Sequence, residues 1–128
     1  MAQDRITGAD GNRFGRETAP LIARAIGATI LGSQSNEVTY KGSRAVIKCA
    51  ARKTNSVGVT YHMLGRVDSV LGAFQQPDGS FEVRMLPATI FAQQMRPTRS
   101  RGASAGKVGV VSRGVFERRG EYIKNVTL

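Results

Sequence analysis

Segments with helical apolar spacing alternate along this chain with short stretches of strand-like alternation, and that mixture constrains the fold more than any other feature. Phe14, Leu21, Ile22, Ala25 and Ile26 recur at helical spacing behind Asn12, a residue suited to an N-cap. They predict a helix over Asn12 to Ile26, kinked where Pro20 removes a backbone donor. Thr29-Ile30-Leu31, Glu37 to Tyr40 and Arg44 to Ala50 read as three short strands, the last two joined by the turn Lys41-Gly42-Ser43. From Val59 to Phe74, the residues Met63, Leu64, Val67, Val70, Leu71 and Phe74 match an i, i+3, i+4, i+7 pattern. The spacing predicts a second helix, with His62, Arg66, Asp68 and Ser69 on its outward face. Gln76-Pro77-Asp78-Gly79 is a turn, Ser80 to Leu86 alternates as a strand, and Pro87 suits the first position of a short helix through Met95. The expected fold class is α/β, a small central mixed sheet flanked by helices.

With 128 residues the chain has room for one domain and an appendage. Its formal charge is +10, and fourteen of the nineteen cations are Arg, the side chain best shaped to hold phosphate through two hydrogen bonds. The charge is uneven: residues 1–95 carry a net +4 and residues 96–128 a net +6. Between Arg96 and Lys107 the chain is rich in Arg, Ser and Gly, the composition of a flexible basic linker. The expectation is a compact domain over 1–95 and a basic C-terminal arm over 96–128, with short strands available at Val108–Val111 and Tyr122–Leu128.

Several function classes fall away. No apolar run approaches the roughly 20 residues that span a bilayer, and the first ten residues hold no hydrophobic stretch of a secretory signal, so a cytoplasmic protein without a membrane partner is expected. A single cysteine, Cys49, and a single histidine, His62, cannot supply the usual ligand count of a zinc site. Gly102 to Lys107 resembles a phosphate loop superficially, but Val108 stands where a Ser or Thr is needed.

Within the third strand, Ala45, Ile47 and Cys49 point to one face and Val46 and Lys48 to the other, so a lysine sits inside an otherwise apolar strand. It reads either as an edge-strand lysine that blocks aggregation or as a catalytic or phosphate-holding group. Lys41, Arg44, Lys48, Arg52 and Lys53 crowd five cations and no anions into residues 41–53, and Arg96, Arg99 and Arg101 extend the basic surface. Lys41, Arg44, Arg52, Lys53, Arg96, Arg99 and Arg101 are the expected contacts to a nucleic-acid backbone.

Glu17 on a helix, the acidic or amide start of a hairpin strand at Asn36-Glu37-Val38, and the second strand ending Val46-Ile47-Lys48 resemble the core of the PD-(D/E)XK nuclease superfamily, across roughly Asn12 to Met95. The resemblance implies a restriction-endonuclease-like fold and a magnesium-dependent DNA endonuclease. It implies Lys48, Glu37 and Glu17 as catalytic residues, and Glu37, Glu17 and Asn36 as metal ligands. It also favours DNA over RNA as partner, and a small domain of this kind suits a homodimer. One motif position departs: Val46 stands where the second acid belongs and cannot bind a cation. Two functional expectations follow, a metal-dependent endonuclease or a non-catalytic nucleic-acid-binding accessory protein using the same basic surface.

Overall fold

The structure, a computed structural model, describes residues 2–32, 36–97 and 107–128, with backbone alone for residues 2–12. Helix α1 runs from Ala2 to Ile26, β1 over Thr29–Ile30, β2 over Glu37–Tyr40, β3 over Ser43–Ala50 and β4 over Ser56–Thr60. The single turn α2 covers Tyr61–Leu64, followed by β5 (Ser69–Gln75), β6 (Phe81–Pro87), α3 (Ala88–Gln94) and β7 (Arg96–Pro97). The chain continues through β8 (Val108–Ser112), α4 (Arg113–Arg119) and β9 (Glu121–Val126). Six strands form a central sheet in the order β1-β2-β3-β5-β6-β9, and β4, β8 and β7 form a small second sheet. The central sheet is mixed, since β3 pairs with β5 in parallel and the other neighbours are antiparallel. The expected fold class, a mixed sheet flanked by helices, is the one observed.

Each face of the central sheet has its own core. Ala45, Ile47, Leu71, Ala73 and Val83 bury against Ala19, Ile22 and Ala23 of α1. Val46, Ala50, Val70, Phe74 and Leu86 bury against Val57, Val59 and Val111 of the small sheet, Phe91 of α3, and Val115 and Phe116 of α4. Gly27 ends α1 at φ +79, and the Ala28 N–H donates to the Ala23 carbonyl, a left-handed glycine closure that satisfies the last turn. Lys41 and Gly42, at φ +51 and +82, make the two-residue turn whose twist suits a β2–β3 hairpin.

The expected helix over Val59–Phe74 is not formed. That stretch ends β4, makes the one-turn α2 and then enters β5, six of whose seven residues are buried. A parallel strand covered on both faces reads as a nearly continuous apolar run, and here such a run coincides with helical spacing. Gly58, Gly65 and Gly72 weaken any helix there, and β-branched Val57, Val59, Val67 and Val70 fit a pleated sheet. Asp68 consequently lies at a junction and not on a solvent-facing helix: its carboxylate accepts from the Arg44 N–H at 3.0 Å, and its N–H donates to the Arg44 carbonyl.

Two smaller expectations shift. α1 begins at Ala2, not at Asn12, and continues through Pro20 without ending. Pro87 closes β6 and precedes α3 as its cap instead of opening the helix. The 96–128 segment, expected as an arm, supplies β7 and β8 to the small sheet, β9 to the central sheet and the helix α4 between them, and its strands at Val108 and Tyr122 fall where expected. Arg99 and Arg101 lie outside the described residues.

Gly72 distinguishes strand from helix. A Cβ there would stand 2.8 Å from Phe74 and 2.9 Å from Phe116. Gly72→Ala is expected to lower stability by about 1–3 kcal/mol in urea denaturation through overpacking. An exposed helical glycine would have gained about 1 kcal/mol from the same change.

Candidate functional site

Strand β2 starts at Glu37, whose cross-strand partner is Val46, and the Ile47 N–H donates to the Asn36 carbonyl just before it. Beyond that bond, Lys48, Cys49 and Ala50 continue along β5 with no partner from β2. Lys48 therefore belongs to a strand that is interior along most of its length, and past Asn36 no described residue pairs with its end on the β2 side. A cleft of about 480 Å³ begins there, lined by Gly15 and Arg16 of α1, Asn36, Lys48 and Cys49, and Ser56 to Gly58 of β4.

The polar groups facing this cleft are a guanidinium, an ammonium, a carboxamide and a hydroxyl. Burial lowers the Lys48 ammonium below the ordinary lysine value, an effect the neighbouring Cys49 partly opposes. An anion in the cleft would offset that desolvation by favouring the charged form. Burial pushes the Cys49 thiol up to about 12, so it is not a ready thiolate near neutral pH.

Glu37 and Lys48 share a sheet face, because Glu37 lies opposite Val46 and Lys48 is two residues further along β3. Their chemistry is nonetheless separate. Glu37, 4% exposed, accepts a hydrogen bond from an Arg66 Nη at 2.5 Å, and Arg44 Nε lies 3.9 Å from its other oxygen. Both arginines are half-exposed, so the buried carboxylate is met by cations reaching in from solvent. Reasoning from sequence missed Arg66 because the expected helix turned it outward. It also missed Arg16, whose place in the Lys48 cleft depends on packing between distant segments.

The other expected residues are dispersed. Glu17 is exposed on α1, and its neighbour Arg16 is the side chain that lines the cleft. Asn36 does line it, while Glu37 does not. Lys41 and Arg44 sit at the hairpin end of β3, whereas Arg52 and Lys53 follow its far end, so the cationic run 41–53 is divided by the length of a strand. Arg52 is also engaged locally, its N–H donating to the Gln75 side chain and its guanidinium to the Pro77 carbonyl. Arg96 is exposed on β7.

Magnesium takes oxygen ligands, usually with one or two carboxylates. Among the described residues the cleft offers no carboxylate, Val46 takes the place of one, and Glu37 is held by arginine. No group of three or more His, Cys, Asp and Glu side chains among the described residues is placed to hold a metal. The donor set does not fit the expected magnesium ion, but suits a phosphate, which accepts from guanidinium, ammonium, amide and hydroxyl groups alike.

The arginine clamp on Glu37 has a measurable value. Arg66→Ala is expected to cost about 1–3 kcal/mol in chemical denaturation, because a charge-assisted hydrogen bond to a buried carboxylate is lost. Adding Glu37→Gln should recover part of that loss, since the amide leaves no buried charge behind.

No protein-family model and no curated protein matches the chain. Among solved structures it is similar to the Holliday junction resolvase Hjc of Archaeoglobus fulgidus, an archaeal hyperthermophile, with a TM-score of 0.45 and 14% identity, covering 89% of this chain and 92% of that one.

Proposed function

We propose that this chain is a nucleic-acid-binding protein, with DNA favoured over RNA, that seats a backbone phosphate in the Lys48 cleft and does not cleave it. The observation that carries this reading is the cleft lining: Arg16 and Lys48 line it together with Asn36 and Ser56, and no carboxylate does so among the described residues. The formal charge of +10 supplies the longer-range attraction to a polyanion. The motif resemblance accounts for a lysine at the end of a hairpin strand, and Val46 and the arginine-held Glu37 account for the loss of a metal cage. The preference for DNA rests on that resemblance.

Binding of this kind is electrostatic and salt-dependent. Fluorescence anisotropy with a short labelled duplex should give a linear fall of log affinity with log salt concentration. Lys48→Ala and Arg16→Ala should each weaken binding and reduce the slope by about 1, the loss of one phosphate contact. Chelator should leave affinity unchanged, and plasmid DNA should stay intact with magnesium or manganese. Metal-dependent nicking abolished by Lys48→Ala would replace this reading with the endonuclease. Tighter binding to an RNA duplex of matching sequence would overturn the preference for DNA.

The lowered lysine adds a pH signature. Phosphate favours the ammonium form, so affinity should decline as pH rises through the lowered Lys48 value, before the ordinary lysine range near about 10.4 is reached. Lys48→Arg keeps its charge and should remove this Lys48-dependent part of the decline.

A further inference from the structure

A second cationic cleft adjoins the first. Its volume is about 340 Å³, and its polar lining consists of Gln94 at the end of α3, Arg96 of β7, Ser112 of β8, Arg118 of α4, and Ser56 of β4. Ser56 also lines the Lys48 cleft, so the two spaces meet at the start of β4.

Strand register explains the meeting. Val57 and Val59 turn into the core, leaving Ser56 and Gly58 on the outer face of the small sheet. Ser56 pairs with Ser112, Gly58 with Val110, and Val110 with Arg96. Directly opposed residues of antiparallel strands project from the same face. Ser56, Ser112, Val110 and Arg96 therefore lie on one continuous surface, with Arg16 and Lys48 beyond one margin and Arg118 beyond another.

Arg118 reaches this surface by folding back along α4. A Cβ on Gly114 would stand 3.0 Å from Arg118 Nη1 and 3.8 Å from the Ser112 hydroxyl, so the absent side chain leaves room for the guanidinium beside Ser112. The ion pairs among described residues are Arg66 and Arg44 with Glu37, and Arg84 with Glu82. None engages Arg96 or Arg118, and among the described residues no carboxylate lines this cleft either.

We infer that the Arg96–Arg118 cleft is a second phosphate subsite, and that a nucleic-acid backbone crosses the outer face of the small sheet with one phosphate at Lys48 and another at Arg118. This rests on the function proposed above and adds its footprint. Two subsites on either side of Ser56 give the backbone a direction across the protein. Phosphate contacts position a strand without reading its sequence, so the track suits binding that depends little on sequence.

The test compares Arg96→Ala, Arg118→Ala, Lys48→Ala and Arg119→Ala in the full chain, by salt-dependent anisotropy with one labelled DNA duplex. Thermal melting of each variant confirms that it is folded. Arg119 is the exposed neighbour of Arg118 and lines neither cleft. Arg118→Ala and Arg96→Ala are expected to weaken binding and lower the salt slope by about 1 each, with Arg119→Ala leaving the slope close to that of the unsubstituted chain. If Lys48→Ala weakens binding while Arg96→Ala and Arg118→Ala do not, the second subsite is wrong and the proposed function stands. If Arg119→Ala lowers the slope as much as Arg118→Ala, the basic surface is diffuse and the subsite is likewise wrong. If none of the four changes binding, both the subsite and the function above fall.

Discussion

The parallel pairing of β3 with β5 obliges the chain to cross from one end of the central sheet to the other through residues 51–68, and the rest of the molecule is arranged around that crossover. Such a connection commonly uses a helix. Here it uses β4 and one helical turn, and β4 needs strand partners of its own. Those come from β7 and β8, which accounts for a second sheet packed on the face of the first. The two strands at the centre are thereby covered on both sides, by α1 on one face and by the small sheet with α3 and α4 on the other.

That arrangement decides what Lys48 can do. β2 begins at Glu37, opposite Val46, so among the described residues the last three residues of β3 are paired through β5 alone, and Lys48 and Cys49 line a cleft. The lysine is held on a central strand and partly desolvated, and Arg16 from α1 lines the same cleft. Burial disfavours the Lys48 ammonium, and a bound phosphate would offset that penalty by attraction to both cations of the cleft. Glu37, on the same sheet face, is held instead by Arg66 and Arg44. The face thus contains both charge types, while the described residues of the cleft present cations and neutral donors.

Sequence patterning made local features visible and tertiary placement largely invisible. The β2–β3 hairpin was legible because alternating apolar residues flank a Lys-Gly pair that accepts left-handed backbone. The turn at Pro77 to Gly79 and strand β6 were legible for similar reasons. The region from Val59 to Phe74 was not, because burial of β5 on both faces removes the alternation that marks a half-exposed strand; the glycines at 58, 65 and 72 were the contrary signal. Lys48 stood out as a charge within an apolar strand. Arg16 and Arg118 carried no such mark, since their significance arises from β4 and β8 pairing across more than fifty residues of chain. The basic run over 41–53 misled in the opposite sense, because a strand through its middle sends its cations to opposite ends of the sheet.

The central claim is that the space beside Lys48 is an anion site and not a cation site. Nuclear magnetic resonance of the Lys48 side-chain carbon next to the amine, with inorganic phosphate and magnesium titrated separately, tests it most directly. Saturable shifts with phosphate, accompanied by a rise in the Lys48 pKa, are expected, with no saturable response to magnesium. Saturable shifts with magnesium and none with phosphate would contradict it.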